Sequence, residues 1–133
     1  MDILTNLNWL AVLAAAVAGF ATGAIWYGVF AKPWMAAAGL TDNDIQQEVS
    51  TYIFAGVLQI VMAITLAVVI AQTGIASWLG GAILGFVIGI GLVTANKALN
   101  AAFQGTSRNL VIIDGLHAAT AFAFMGAILG GWQ

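Results

Sequence analysis

The sequence has no cysteine, a single proline and a single histidine. The first absence excludes disulfides, thiol nucleophiles and cysteine-ligated metals, and leaves the redox compartment unmarked. One histidine cannot give a haem two imidazoles from one chain, and no His/Asp/Glu group has metal-ligand spacing. Charge is equally scarce. Three basic and five acidic residues amount to 6% of 133 positions, against about 25% in an ordinary soluble domain. So few charges cannot cover a water-soluble globule, which argues against a soluble enzyme and against a disordered chain. No cluster of Lys or Arg could follow a phosphate backbone, so nucleic acid is not an expected partner. Ser77 and Ser107 have no neighbouring base, so no catalytic residue, metal or cofactor is expected. Asp42, Asp44 and Glu48 fit the solvated face of a capped helix better than a Ca²⁺ site.

What is abundant is apolar. Hydrophobic residues make up 62% and there are 16 glycines; the mean hydropathy is +1.03. A bilayer core takes roughly 20 apolar residues in helix. Four stretches qualify, at 9–30, 52–72, 78–98 and 110–132. Their apolar residues are continuous rather than alternating, which favours helices over barrel strands. Ahead of the first stretch the only charge is Asp2. Without a basic start it is expected to be a retained helix rather than a signal peptide.

The expected fold is all-α: one domain over 1–133, a transmembrane four-helix bundle with a short amphipathic helix between spans one and two. The linker 73–77 is short enough to force spans two and three into a hairpin, and the polar segment 100–109 joins three to four. In the long first connection, Pro33 suits the first turn of a short helix carrying Trp34 and Met35, and Gly39 suits its stop. Thr41 with Asp44 three residues on resembles a capping box. A helix begun there would place Ile45, Val49 and Tyr52 on one face and run into span two.

Lys32, Lys97 and Arg108 all fall at the ends of the first and third connections. The positive-inside rule then places connections 31–51 and 99–109 in the cytoplasm and both termini outside. Trp9, Trp78 and Trp132 mark the outer ends of the spans, while Trp26, Tyr27 and Trp34 mark the inner side as an interfacial belt.

Helices in lipid associate by close packing. Gly19 and Gly23 in span one, Gly81, Gly85 and Gly89 in span three, and Gly115 with Ala119 in span four each build a smooth stripe. Either the stripes are consumed within one bundle or some serve subunit contacts. The expected partners are therefore membrane lipids, with a homo-oligomer or a larger membrane complex around the chain.

Polar side chains inside a membrane cost a few kcal/mol and usually have a partner or a role. At 1.5 Å per residue, Gln59 lies ~10 Å and Asp114 ~6 Å from the inner end of their spans. Lys97 sits at the inner end of span three, antiparallel to span four, so it can meet Asp114. His117 shares the Asp114 face one turn deeper. Gln59, Asn96, Lys97, Asp114 and His117 can thus converge in one half of the bundle. This supports three readings. The cluster is a structural lock in an accessory or self-assembling membrane component. It is an ion or proton site of a small channel or carrier. Or, with Trp26 and Tyr27, it is a pocket for a lipid or quinone.

The run Asn8-Trp9-Leu10-Ala11-Val12, then Gly23, Trp26-Tyr27, Lys32, Trp34-Met35 and Gly39, resembles the opening signature of a bacterial family of small four-span membrane proteins. That family is catalogued as a domain of unknown function (number 1761). Span four is similar too, with Asp114-Gly115, His117, Met125-Gly126-Ala127 and Trp132. The resemblance implies four helices and a bacterial inner membrane, and no activity. The family often has Tyr before the His, where this chain has Leu116, and Asn is as frequent as Asp at the Asp114 position. Small four-helix multidrug exporters are of similar size, but they carry an essential acid in span one, where this chain has none.

Overall fold

The computed structural model describes residues 2–45 and 47–133. Helix α1 covers Trp9–Val29 and is capped by Asn8, whose side chain accepts from the Ala11 amide at 3.2 Å. A bend at Phe30 leads into α2, Ala31–Ala38. Pro33 stands in its first turn, where a missing N–H costs nothing, and Gly39 ends it at φ 71°, a conformation that glycine adopts most easily. Helix α3 spans Val49–Thr73 and α4 spans Trp78–Ile88, capped by the Ser77 hydroxyl. Beyond α4 the same rod continues as six π-helical residues, Gly89–Thr94, and then as α5, Ala95–Gln104. Helix α6 covers Arg108–Gly131. Four helical rods are long and apolar enough to cross a membrane: Trp9–Val29, Val49–Thr73, Trp78–Gln104 and Arg108–Gly131. Among the described residues there is no strand. The chain is an all-α, four-span protein.

Four boundaries differ from those expected. The Thr41–Asp44 capping box forms, with Asp44 Oδ2 accepting from the Thr41 amide and hydroxyl at 2.7 Å each. It closes a single 3-10 turn, Asp42–Asp44, and no helix follows it: Ile45 leaves the helical region and α3 starts afresh after an extended Glu48. A cap satisfies the first amides, but an exposed turn has no apolar face to propagate on. Ile45 therefore stands apart from Val49 and Tyr52, which share α3, and Gln46, which would have been part of the expected helix, lies outside the described residues. The third rod runs to Gln104 rather than 98, so its joint to α6 is 105–107 instead of 99–109. Polar Asn96 and Asn100 end the hydrocarbon stretch, not the helix, which stops where Gly105 can take φ 69°. Spans two and four start at Val49 and Arg108, ahead of the expected 52 and 110.

Helix α6 is the hub. Helix α4 lies along one side of it, and α1 and α3 along the other. The α4–α6 seam is set by glycine. A Cβ on Gly81 or Gly85 would overlap the Gly126 or Phe122 carbonyl oxygen, and one on Gly89 would stand 2.7 Å from Ala119 Cα. The stripes of spans three and four are thus pressed against each other within one chain.

The apolar core occupies the end of the bundle that carries the termini. Ala11, Val12 and Ala15 of α1 meet Ala63, Leu66 and Ile70 of α3 and Met125 and Leu129 of α6. At the same end, the Asn8 side chain donates to the Trp132 carbonyl at 3.4 Å. Burial on α1 stops at Gly19, and on α3 it starts only at Ala63. These two helices are joined at the terminal end and splayed at the α2 end.

A cleft and a locked carboxylate as candidate functional site

The splay leaves a cleft of about 660 Å³ between α1 and α3. Helix α6 contributes Asp114 and His117 to it, and α2 contributes Trp34 and Met35 at its mouth. The rest of its wall is largely small or aromatic: Phe20, Gly23, Ala24 and Tyr27 from α1, and Tyr52, Ala55 and Gln59 from α3.

Asp114 is the buried charge of the site, 8% exposed. A buried carboxylate is costly unless its lone pairs are met, and here three donors meet them. Oδ1 accepts from the Tyr27 hydroxyl at 2.7 Å and from the Trp34 indole N–H at 3.2 Å. Oδ2 pairs with the Lys97 ammonium, whose side chain is 45% exposed. One residue earlier on α6, the Ile113 carbonyl accepts from the Trp26 indole at 3.1 Å. Helices α1, α2, α5 and α6 are therefore tied together at one point. Trp34 can reach it because the bend at Phe30 folds α2 back over the end of α6, with the Trp34 amide still bonded to the Phe30 carbonyl at 2.9 Å.

Lys97 owes its position to the π-helical segment, a feature often found at functional sites. The Thr94 hydroxyl lies 2.7 Å from the Gly89 carbonyl and 3.1 Å from that of Gly115, and shares its proton between them. Gly115 admits the contact because a Cβ there would overlap Thr94 Cγ2. Thr94 thereby fixes the third rod on α6 three residues before Lys97.

Two residues that line the cleft each carry a buried polar atom without a hydrogen-bond partner among the described residues, Gln59 Oε1 and His117 Nε2. The His117 ring packs on Tyr27 at a centroid distance of 4.9 Å and on Trp26 at 6.2 Å. Both polar groups abut glycines of α1. Gln59 lies against Gly19, and His117 Nε2 is 3.3 Å from where a Gly23 Cβ would be.

Of the five polar residues expected to converge, Lys97 and Asp114 are paired. His117 and Gln59 line the same cleft without joining the pair. Asn96 does not join it: it is exposed and makes no side-chain hydrogen bond among the described residues. It sits one residue before Lys97, about 100° around the helix, so both cannot face α6. Trp9, Trp78 and Trp132 are 45%, 57% and 44% exposed at the terminal end. Trp26, Tyr27 and Trp34, assigned to the inner belt, instead turn their polar atoms inward onto α6. Sequence reasoning missed that role, although Tyr27 and Trp34 flank the same bend at the depth of Asp114. Nor did it give Thr94, one of the polar residues within the spans, its bridging role, whose signal was a lone hydroxyl five residues after a glycine. Among the described residues no group of three His, Cys, Asp or Glu side chains could hold a metal ion.

No curated protein and no solved structure matches the chain. Residues 10–130 match a family described as "Protein of unknown function (DUF1761)". That match covers nearly the whole four-helix unit, from the first turn of α1 to the end of α6, and the chain belongs to this family of multi-pass membrane proteins.

Proposed function

We propose that this chain, without catalytic chemistry of its own, binds a small amphipathic molecule from the membrane in the cleft between α1 and α3. One observation carries the reading: Gln59 and His117 line that cleft, and each carries a buried atom, Oε1 and Nε2, that has no hydrogen-bond partner among the described residues. The large majority of buried side-chain polar atoms are paired in native proteins, and a ligand's polar end would pair these two side chains. The volume falls within the roughly 300–1,000 Å³ of small-molecule sites. The ion-site alternative has less support. Asp114 is already held by three donors, and the terminal half of the bundle is closed by Ala15, Ala63 and Met125, each 0% exposed.

The setting proposed is a bacterial inner membrane with the α2 end cytoplasmic, since Lys32, Lys97 and Arg108 gather there. The cleft then opens at the depth of the inner leaflet. Assembly into a homo-oligomer or a larger complex belongs to the same proposal, with lipid or another subunit on the exposed α3 face of Ile53, Phe54, Val57 and Val61. Native mass spectrometry from mild detergent tests both parts. The expected spectrum shows multiples of 13.7 kDa carrying a small adduct that Gln59→Leu removes. A chain that retains no amphiphile under any extraction condition overturns the binding reading.

A further inference from the structure

Resting on that reading, we infer that the cleft selects an uncharged ring with two opposed oxygens, a quinone or its quinol, over a phospholipid headgroup. Charge decides the first step. Among the described residues lining the cleft, Asp114 carries the one formal charge, and the Lys97 ammonium neutralises it. No Lys or Arg faces the space, so a phosphate finds no cation there. A cationic headgroup would have to share Asp114 with the Lys97 ammonium, cation against cation.

What remains is neutral and two-sided. A carboxamide and an imidazole can each donate or accept, so they suit both the carbonyl oxygens of a quinone and the hydroxyls of a quinol. They come from different helices, Gln59 from α3 and His117 from α6. Their contact points on α1, Gly19 and Gly23, are one helical turn apart, about 6 Å along the axis. Two separate polar groups on two helices suit two separate oxygens better than the clustered oxygens of a phosphate. Shape agrees. Gly23 leaves one wall flat, and the rings of Phe20, Tyr27 and Trp34 face the same space. An isoprenoid-like tail would leave between the splayed helices into lipid.

The test uses the full chain in nanodiscs of zwitterionic phosphatidylcholine, titrated with a decyl-tailed benzoquinone. Tryptophan quenching reports occupancy, because Trp34 lines the site. The expected result is saturable quenching at one site per chain, unaffected by excess decanol or by phosphatidylglycerol in the disc. Gln59→Leu and His117→Phe should each weaken it roughly tenfold, the scale of one net hydrogen bond. Three outcomes overturn the inference. If decanol competes equally and the variants weaken both, the amphiphile cleft stands and the ring selection falls. If phosphatidylglycerol displaces the quinone, the site is one for an anionic lipid. If quenching is linear and nothing saturates, the cleft reading falls as well. The competition arms need no variant, so they decide even if a substitution prevents folding.

Discussion

Alanine at Gly85 puts a methyl group where the α6 backbone already stands. Its Cβ would overlap the Phe122 carbonyl oxygen, lie 2.6 Å from the Phe122 carbonyl carbon and 3.2 Å from the Ala123 nitrogen. Favourable carbon contacts begin near 3.5 Å, so the shortfall is about 1 Å. Every atom met is main chain, and no rotamer change can relieve it. Helix α4 must lift from α6, loosening the Gly81–Gly126 and Gly89–Ala119 contacts on either side. Overpacking of this kind costs about 1–3 kcal/mol. Overlap with main chain alone puts the cost at the upper end of that range, and alanine's better helix propensity returns at most about 1 kcal/mol, so the net effect is destabilisation of about 2 kcal/mol. Gly56 is the control. A Cβ there meets nothing within 4 Å, so Gly56→Ala should stabilise α3 by up to about 1 kcal/mol. Unfolding titrations with sodium dodecyl sulfate in mixed micelles, followed by far-ultraviolet circular dichroism, measure both. The same chemical change should give opposite signs. A Gly85→Ala chain within about 0.5 kcal/mol of the parent, the range of a neutral surface change, would refute the backbone contact.

Other consequences are as direct. Tyr27→Phe removes a hydrogen bond to a charged acceptor and should cost about 1.5–3 kcal/mol. In a double-mutant cycle with Asp114→Asn the two effects should be non-additive; additivity within about 0.5 kcal/mol would show that the groups do not interact. Thr94→Val keeps the shape and deletes the hydroxyl bridging Gly89 and Gly115. It should cost about 1 kcal/mol and speed amide exchange over 89–95, and unchanged exchange there would count against the bridge. Asp44, outside the spans, has a shifted titration. The Thr41 hydroxyl and amide hold its carboxyl below the usual range. A folded value below the unfolded one means the turn is fully supported above the ordinary carboxylate pKa near 3.9 and loses support as pH falls through the lowered value. The Thr41 amide resonance should therefore titrate at lower pH than in a reference peptide of the same segment. Coincident midpoints would remove the capping box from the argument.

The spans are legible in sequence because transfer to lipid depends on composition over about 20 residues and hardly on order. Helix α2 is legible because Pro33 and Gly39 restrict the backbone locally, whatever surrounds them. The Lys97–Asp114 pair follows from depth alone, once the two rods are antiparallel neighbours. The remainder depends on packing. A tyrosine or tryptophan at this depth suits the headgroup layer and an inward hydrogen bond equally well, so Tyr27 and Trp34 carry no mark of their acceptor. Asn96 and Lys97 look alike to a depth argument, and the rotation of the rod, set by the π segment, separates them. The splay of α1 and α3 has no local signature. Ala11 and Ala15 resemble Ala24 and Ala31 in sequence, yet the first pair is buried and the second lines a void. What differs is the partner: Ala63 and Ala67 of α3 share the core with the first pair, whereas beyond Gly19 the chain is held on α6 through Tyr27 and Trp34.

That leaves the question of why the void persists. Facing it are Gly23, Ala24 and Gly28 on α1 and Ala55 on α3, side chains small enough for the helices to close together. The carboxylate of Asp114 opposes closure. It holds α1 through Tyr27 and α2 through Trp34, and both helices are thereby kept on α6 rather than on α3. A carboxylate has about four acceptor positions, and three donors use most of them, so its part is to position helices rather than to ferry ions. Asn at position 114 separates these roles. Its oxygen can still accept from Tyr27 and Trp34, but its amide hydrogens then face the Lys97 ammonium, donor against donor. The expected Asp114→Asn chain still inserts four helices, frees Lys97 toward solvent, and binds the cleft's occupant several-fold more weakly because α1 and α2 are held less firmly. A variant that binds like the parent while Lys97 exchanges freely would show that packing alone, and not the carboxylate, keeps α1 away from α3.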